Sequence, residues 1–121
     1  MKFTTNIIDI DFDGAKIAMA ERDGSNLSIT IHNCALLVNH PGSTELQNKI
    51  DSLEIVFHFV TEEKAELFKG KEESTSNAHF PPLDVIETFE ESNGKYKFGG
   101  YLSNEPWSVW EFKARNYVVS W

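Results

Sequence analysis

The sequence predicts a mainly β protein: a single antiparallel β-sandwich or partly open barrel of about eight strands, with one or two short helices. Apolar and polar residues alternate over several runs, as half-buried strands require. Asn93-Gly94 separates two such runs between Leu83 and Leu102. This dipeptide is favoured in two-residue hairpin turns because both central residues need positive φ. Turn-forming residues also separate the other runs.

The bulk composition is that of one domain covering residues 1–121, with nine Phe, three Trp and three Tyr to build a core. The net charge of −8 disfavours nucleic acid and anionic membranes, because both are bound by clusters of Lys and Arg. An acidic surface serves solubility, and it also attracts basic proteins. A lone cysteine, Cys34, fits a reducing compartment, and residues 1–6 do not resemble a signal peptide. We therefore expect a cytoplasmic protein.

The N-terminal third predicts three strands. Residues 7–12 alternate, which predicts a strand with Ile8, Ile10 and Phe12 on one face and Asp9, Asp11 and Asp13 on the other. Residues 15–21 and 27–31 predict a hairpin, with Ile17 and Met19 on one face of its first arm. The apolar run at 34–38 indicates either burial on both faces or a bulge that flips the register.

The middle of the chain predicts one strong strand and two short helices. The strand covers residues 53–60, where Leu, Ile and Phe alternate with other residues. A capping-box pattern predicts a helix at 44–51. Acidic residues early and Lys69-Gly70 late predict a second helix at 61–69. The polar stretch 71–78 is predicted to be a loop.

The C-terminal third is rich in aromatic residues. Gly99-Gly100, inside the second hairpin arm, indicates a bulge or a close backbone approach. Two further strands are predicted at 107–114 and 117–121. In the first of them, Trp110 shares a face with Phe112, and Trp107 lies on the opposite face. One face must be core, and an exposed Trp is typical of protein interfaces and sugar platforms.

No sequence motif carries recognisable catalysis. The nucleophile elbow, the Walker loop and the dinucleotide-binding glycine pattern are all absent, and the histidines lack metal-ligand spacing. Asp9–Gly14 is similar to the first half of a calcium loop, but the twelfth position is Ala20 instead of Glu, which favours a strand with solvated acids. We therefore predict no catalytic residue, no cofactor and no metal ligand.

The order of elements resembles a group of small bacterial β-proteins that includes immunity proteins of polymorphic toxin systems. The matching stretches are residues 7–12 with the hairpin through Ile31, the strand from Leu53 to Phe59, and Trp-x-x-Trp-x-Phe-x-Ala at 107–114 before a short last strand. The resemblance implies a cytoplasmic protein without an active site. It further implies an acidic face that binds and occludes a toxin domain, often a basic nuclease.

The main functional hypothesis is a non-enzymatic protein-binding module for a basic protein. Its acidic surface would speed association and its aromatic anchors would slow dissociation. The candidate partner-binding residues are Asp9, Asp11, Glu54, Trp107 and Glu111.

Three alternatives remain open at the level of sequence. A small-ligand or carbohydrate-binding domain would use the aromatic side chains of Tyr101, Trp107 and Trp121. An enzyme would use His58 and Glu54, which are four residues apart on one strand face, together with a loop residue. A structural homo-oligomer would pair an edge strand with a second copy of the chain.

Overall fold

The computed structural model describes residues 1–44, 48–69, 74–103 and 106–121, and 63% of the described residues are in strands. The described elements are β1 (Lys2–Phe3), a 3-10 turn (Ile7–Asp9), β2 (Ile10–Asp11), β3 (Lys16–Asp23), β4 (Asn26–Leu36), β5 (Lys49–His58), β6 (Thr61–Phe68), β7 (Ser74–Ser76), β8 (Val85–Ser92), β9 (Lys95–Tyr101), β10 (Trp107–Lys113) and β11 (Asn116–Ser120).

The described strands form one antiparallel sheet that does not close, which confirms the predicted mainly β class. The strand order is β1-β11-β5-β4-β3-β8-β9-β10-β6-β7, and β2 pairs with the far end of β4. The described part of the chain has eleven strands instead of about eight. The additional ones are β1, β6 and β7, while β2 is the part of the strand predicted at 7–12 that is observed.

A bent ribbon folds the sheet onto itself. β5 continues into β6 through Phe59, which has a φ of 56°, and β10 continues into the paired β11. At this corner the Val60 N–H donates to the Ser25 carbonyl at 2.8 Å, and the Arg115 N–H donates to the His58 carbonyl at 3.0 Å. The sheet therefore has two halves that face each other. The first half contains β11, β5, β4 and β3, and the second half contains β8, β9, β10 and β6.

The core lies between the inner faces of the two halves. Phe57 of β5 packs edge-to-face on Phe112 of β10, with 4.9 Å between ring centroids. Trp110 and Phe98 are fully buried beside them. Along β10, buried and partly exposed residues alternate, so Trp110 and Phe112 are core while Trp107 faces outward.

The two predicted helices are not part of the described structure. Residues 61–68 form β6, and this prediction was wrong because pairing with β10 along most of its length overrides the local helix signals. The second predicted helix, at 44–51, falls partly on residues 45–47, which lie outside the described residues; residues 49–51 begin β5. In the predicted loop at 71–78, residues 71–73 also lie outside, and 74–76 form β7.

Two predicted strand faces are also corrected. Residues 7–9 form the 3-10 turn instead of a strand, which buries Ile7 and leaves Ile8 exposed. A bulge between Ile17 and Met19 buries the first and exposes the second. In β4 the buried face switches from odd to even positions around Asn33, whose φ is 64°. The buried face thus changes, but the register of β4 with β5 is unbroken here, so the bulge that was one interpretation of the apolar run at 34–38 is not seen in that pairing.

The predicted Asn93-Gly94 hairpin is confirmed, with φ values of 50° and 80° in the turn between β8 and β9. The close approach predicted at Gly99-Gly100 also exists. A Cβ atom at position 100 would lie 1.8 Å from the Val85 carbonyl oxygen. The alternative, a bulge in the arm that carries Gly99-Gly100, is wrong in its position, because the bulge lies in the facing strand between Ile86 and Thr88.

The two halves meet between β3 and β8 at a single residue pair, Lys16 opposite Val85. Next to this pair, the Ile86 N–H donates to the Ala15 carbonyl and the Gly14 N–H donates to the Ile86 carbonyl, both at 2.8 Å. Beyond Ile86, no backbone hydrogen bond joins the described residues of β8 to the first half. The strands therefore separate immediately after they meet.

We expect Gly100→Ala to lower the free energy of unfolding by about 3 kcal/mol, because a backbone carbonyl would have to move to admit the methyl group. Gly99→Ala is the matched control, since the added Cβ would meet only the side chains of Thr88 and Trp107, which can shift. Its expected cost is about 1 kcal/mol. Urea unfolding of both variants measures the difference, and equal costs would contradict the proposed backbone constraint.

Candidate functional site

A hollow of about 280 Å³ lies between β2 and β8, where the two halves separate. Ile10 and Phe12 are buried at its floor, and the Phe12 ring packs edge-to-face on Phe89 with 5.0 Å between centroids. Side chains instead of backbone hydrogen bonds therefore join β2 to β8. We call this hollow the β2–β8 cleft; it is lined by Ile8, Ile10, Asp11, Phe12, Asp13, Leu37, Glu87 and Phe89.

Two large apolar side chains of the cleft face solvent. Ile8 is 60% exposed and Leu37 is 44% exposed. The 3-10 turn explains the orientation of Ile8, because Ile7 is buried and its N–H donates to the Tyr117 hydroxyl at 2.9 Å. The Leu37 N–H donates to the Asp9 carbonyl at 2.8 Å. Backbone contacts thus hold both exposed side chains beside each other at the cleft.

Carboxylates form the rim of the cleft. Asp11, Asp13 and Glu87 line it, and Asp11 accepts a hydrogen bond from the Asp13 backbone N–H at 3.0 Å. A second hollow of about 230 Å³ shares these two aspartates and adds Asp51 and Lys49. Within the described residues, none of the four carboxylates has an ion pair within 4.0 Å. The rim therefore presents unpaired negative charge around an apolar floor.

The structure brings together only two of the five predicted partner-binding residues. Asp11 lines the cleft, and Asp9 lies beside it in the 3-10 turn, where its carboxylate accepts a hydrogen bond from an asparagine side chain at 3.0 Å. Glu54 is exposed on the outer face of β5. Trp107 and Glu111 lie on the outer face of β10, in the opposite half. These three residues belong to other surfaces.

Trp107 and Glu111 already contact other residues of the protein. The Trp107 ring covers Gly99, and it packs edge-to-face on Tyr101 with 5.3 Å between centroids. Glu111 accepts a hydrogen bond from Lys95 at 2.9 Å, which lowers the pKa of its carboxyl. A third aromatic residue, Trp121, stacks on Phe3 on β1, at the other edge of the sheet order. The three aromatics of the carbohydrate hypothesis therefore do not share one platform.

A second polar cluster ties β3 to β6. Arg22 forms a two-bond ion pair with Glu63, and the same carboxylate accepts a hydrogen bond from the Trp110 indole N–H at 2.9 Å. The Arg22 guanidinium lies over the Phe80 ring at 4.4 Å, and that ring packs edge-to-face on Trp110. The charged groups of the cluster are thus bonded to one another, which indicates that the cluster stabilises the fold. We call Arg22, Glu63 and Trp110 the clasp.

The other reactive residues do not assemble into a site. Burial raises the pKa of the Cys34 thiol to about 12, so the thiol stays protonated. His58 lies 2.6 Å from the Asn116 side-chain oxygen, and no described hydrogen bond joins it to Glu54. The described ranges contain no group of three His, Cys, Asp or Glu side chains that could hold a metal ion. No described contact therefore supports the enzyme hypothesis.

Among the residues that line the cleft, the sequence predicted only Asp11 as a binding residue; Ile8, Leu37 and Glu87 are among those it missed. Alternation placed Ile8 on the buried face, because the pattern cannot distinguish a strand from a 3-10 turn at its end. The apolar run 34–38 carried a usable signal. It continues past Leu36, where β4 ends, and so provides apolar side chains that no strand face buries.

The described residues include no helix that could cross a membrane. Comparison of the chain with protein-family models, with curated proteins and with solved structures gave no significant match.

We expect the contribution of Glu63 to stability to depend on pH. Burial alone raises the pKa of this carboxyl, but the hydrogen bonds from Arg22 and Trp110 outweigh burial, so its folded pKa lies below the usual value. Because the folded pKa is the lower one, the ionised carboxylate stabilises the fold. This contribution is fully present above the unfolded pKa of about 4.3 and is lost as pH falls through the folded pKa.

Glu63→Gln should therefore lower the free energy of unfolding by about 1 kcal/mol at pH 7, and the difference from wild type should shrink as pH falls below the unfolded pKa of about 4.3 and through the lower folded pKa. Glu54→Gln, on an exposed carboxylate outside the clasp, is the control and should change stability by less than about 0.5 kcal/mol. Urea unfolding at several pH values measures both variants. A cost for Glu63→Gln that is independent of pH would contradict the ionic role of Glu63.

Proposed function

We propose that this protein is a non-enzymatic binding module that docks a basic protein in the β2–β8 cleft. The observation that carries the proposal is the combination of two exposed apolar side chains, Ile8 and Leu37, with unpaired carboxylates on one concave surface. Concave apolar surfaces with a polar rim are typical of binding sites. A chain with net charge −8 adds a long-range attraction for basic proteins.

The two kinds of side chain have separate roles in this proposal. Asp11, Asp13 and Glu87 would steer a basic partner towards the cleft and raise the association rate. Ile8 and Leu37 would be buried on docking and slow dissociation. No Lys or Arg lines the cleft among the described residues, which argues against a nucleic acid as its ligand.

The biological role that we propose is that of an immunity protein that occludes a basic toxin domain in the cytoplasm. Two points support it: the resemblance of the sequence pattern, and an acidic concave surface in described ranges that contain no group of side chains able to hold a metal ion. The buried, protonated Cys34 thiol is compatible with a reducing compartment. Occlusion needs no chemistry from this chain, only a complementary surface.

Capture from a lysate of the native cell, at low and high salt, tests the docking surface. The cleft variant Asp11→Asn/Asp13→Asn/Glu87→Gln removes three negative charges from the rim. The control variant Glu21→Gln/Asp23→Asn/Glu54→Gln removes three charges from exposed strand positions that do not line the cleft. Both variants therefore have the same net charge.

We expect wild type and control to capture the same basic protein at low salt and to release it at high salt. The cleft variant should retain about tenfold less of it, since each rim charge contributes about 0.5 kcal/mol to docking. Mass spectrometry identifies the captured protein, and circular dichroism checks that all variants fold. Equal capture by the cleft variant, or equal loss in the control, would show that docking does not use this cleft.

A further inference from the structure

One edge of β8 has no backbone partner over most of its length. Along its other edge, β8 pairs with β9 from Val85 to Ser92. Towards the first half, only Val85 and Ile86 make backbone contacts. Within the described residues, no backbone hydrogen bond joins residues 87–92 to any segment other than β9. The N–H and C=O groups of these residues that point away from β9 therefore have no backbone partner, and Glu87 and Phe89 place the start of this edge at the β2–β8 cleft.

An unpaired strand edge is a template for another strand. Charged side chains and bulges protect such edges, and β8 carries Glu87, Glu90, Glu91 and a bulge beside Ile86. A second copy of this chain would bring the same carboxylates to the contact, so like charges would oppose self-pairing. A segment rich in Lys or Arg would instead neutralise them. The charge of the edge therefore favours a basic segment from a different protein.

We propose that the basic partner inserts an extended segment that adds as a strand to the free edge of β8, within the β2–β8 cleft. This inference rests on the proposed function and specifies how the partner binds. Side chains alternate along a strand, so every second residue of the segment faces the apolar lining formed by Ile8, Leu37 and Phe89. Its basic residues lie beside Asp13 and Glu87. Backbone hydrogen bonds provide affinity, and the alternation provides specificity.

Hydrogen exchange in the free protein tests the premise. Amides of residues 87–92 that point away from β9 should exchange at least about a hundredfold faster than the β8 amides bonded to β9, because they have no backbone acceptor. Uniform protection along β8, together with a concentration-dependent dimer in sedimentation, would show that a second copy occupies the edge. That result would overturn the proposal for a different partner.

A synthetic peptide of alternating Lys and Val, seven residues long and blocked at both ends, is the probe. Two N-methylated versions are the matched controls: one is methylated at the Val amides, the other at the Lys amides. Both keep every side chain, but each lacks the N–H groups of one edge of the added strand. Strand addition predicts that one version binds at least about tenfold more weakly than the parent peptide, and the other within about twofold.

Binding of the parent peptide should also slow exchange of the β8 edge amides. Three results would overturn strand addition: equal affinity of both methylated versions, unchanged exchange at residues 87–92, or no binding at millimolar peptide. None of them affects the capture experiment, in which the whole partner docks on the cleft. If capture of the partner depends on the cleft but exchange of the β8 edge amides does not change on peptide binding, docking in the cleft stands and strand addition is excluded.

Discussion

The close approach of the Val85 carbonyl to Gly100 determines where the two halves of the sheet meet. A Cβ atom at position 100 would leave only 1.8 Å to that oxygen, so the absence of a side chain allows β8 to lie against β9 with its bulge at Ile86. From this point, Val85 pairs with Lys16 and Ile86 bonds to Gly14 and Ala15. The β2–β8 cleft begins where these bonds end, and its position therefore depends on the junction.

The rest of the molecule keeps the cleft open. The bent ribbon and the aromatic core hold the halves together on one side, and the clasp of Arg22, Glu63 and Trp110 ties β3 to β6. Within the cleft, the ring contact between Phe12 and Phe89 bridges the halves. The unpaired edge of β8 can accept a partner strand at little conformational cost, because β8 is already an ordered strand through its pairing with β9.

Local patterns predicted the class of the fold and several of its strands. The Asn93-Gly94 hairpin followed from turn chemistry, and the burial of Trp110 followed from alternation along β10. The helix predicted at 61–69 was wrong because the acidic start and the Lys-Gly end of this stretch are typical of a helix, yet residues 64–68 pair with β10, a strand distant in sequence. Pairing between segments that are distant in sequence cannot be predicted from the local residue pattern.

The sequence alone identified only part of the candidate site. The acidic stretch at Asp9 and Asp11 was recognised by its charge, and both residues lie at or beside the cleft. Glu54, Trp107 and Glu111 were grouped with them on residue type alone, and the fold separates them. Ile8 became part of the site only through the 3-10 turn, and Glu87 only through the junction of β3 with β8.

Blocking the cleft with a bulky group tests most directly whether a partner docks there. Leu37→Cys, labelled with a polyethylene-glycol maleimide, places the group at the cleft, while Met19→Cys carries the same label on an exposed residue of β3 that does not line it. The buried, protonated Cys34 should not react in the folded protein. We expect the label at Leu37 to abolish capture of the basic partner and the label at Met19 to leave it intact. Full capture by the protein labelled at Leu37 would contradict a binding role for the β2–β8 cleft.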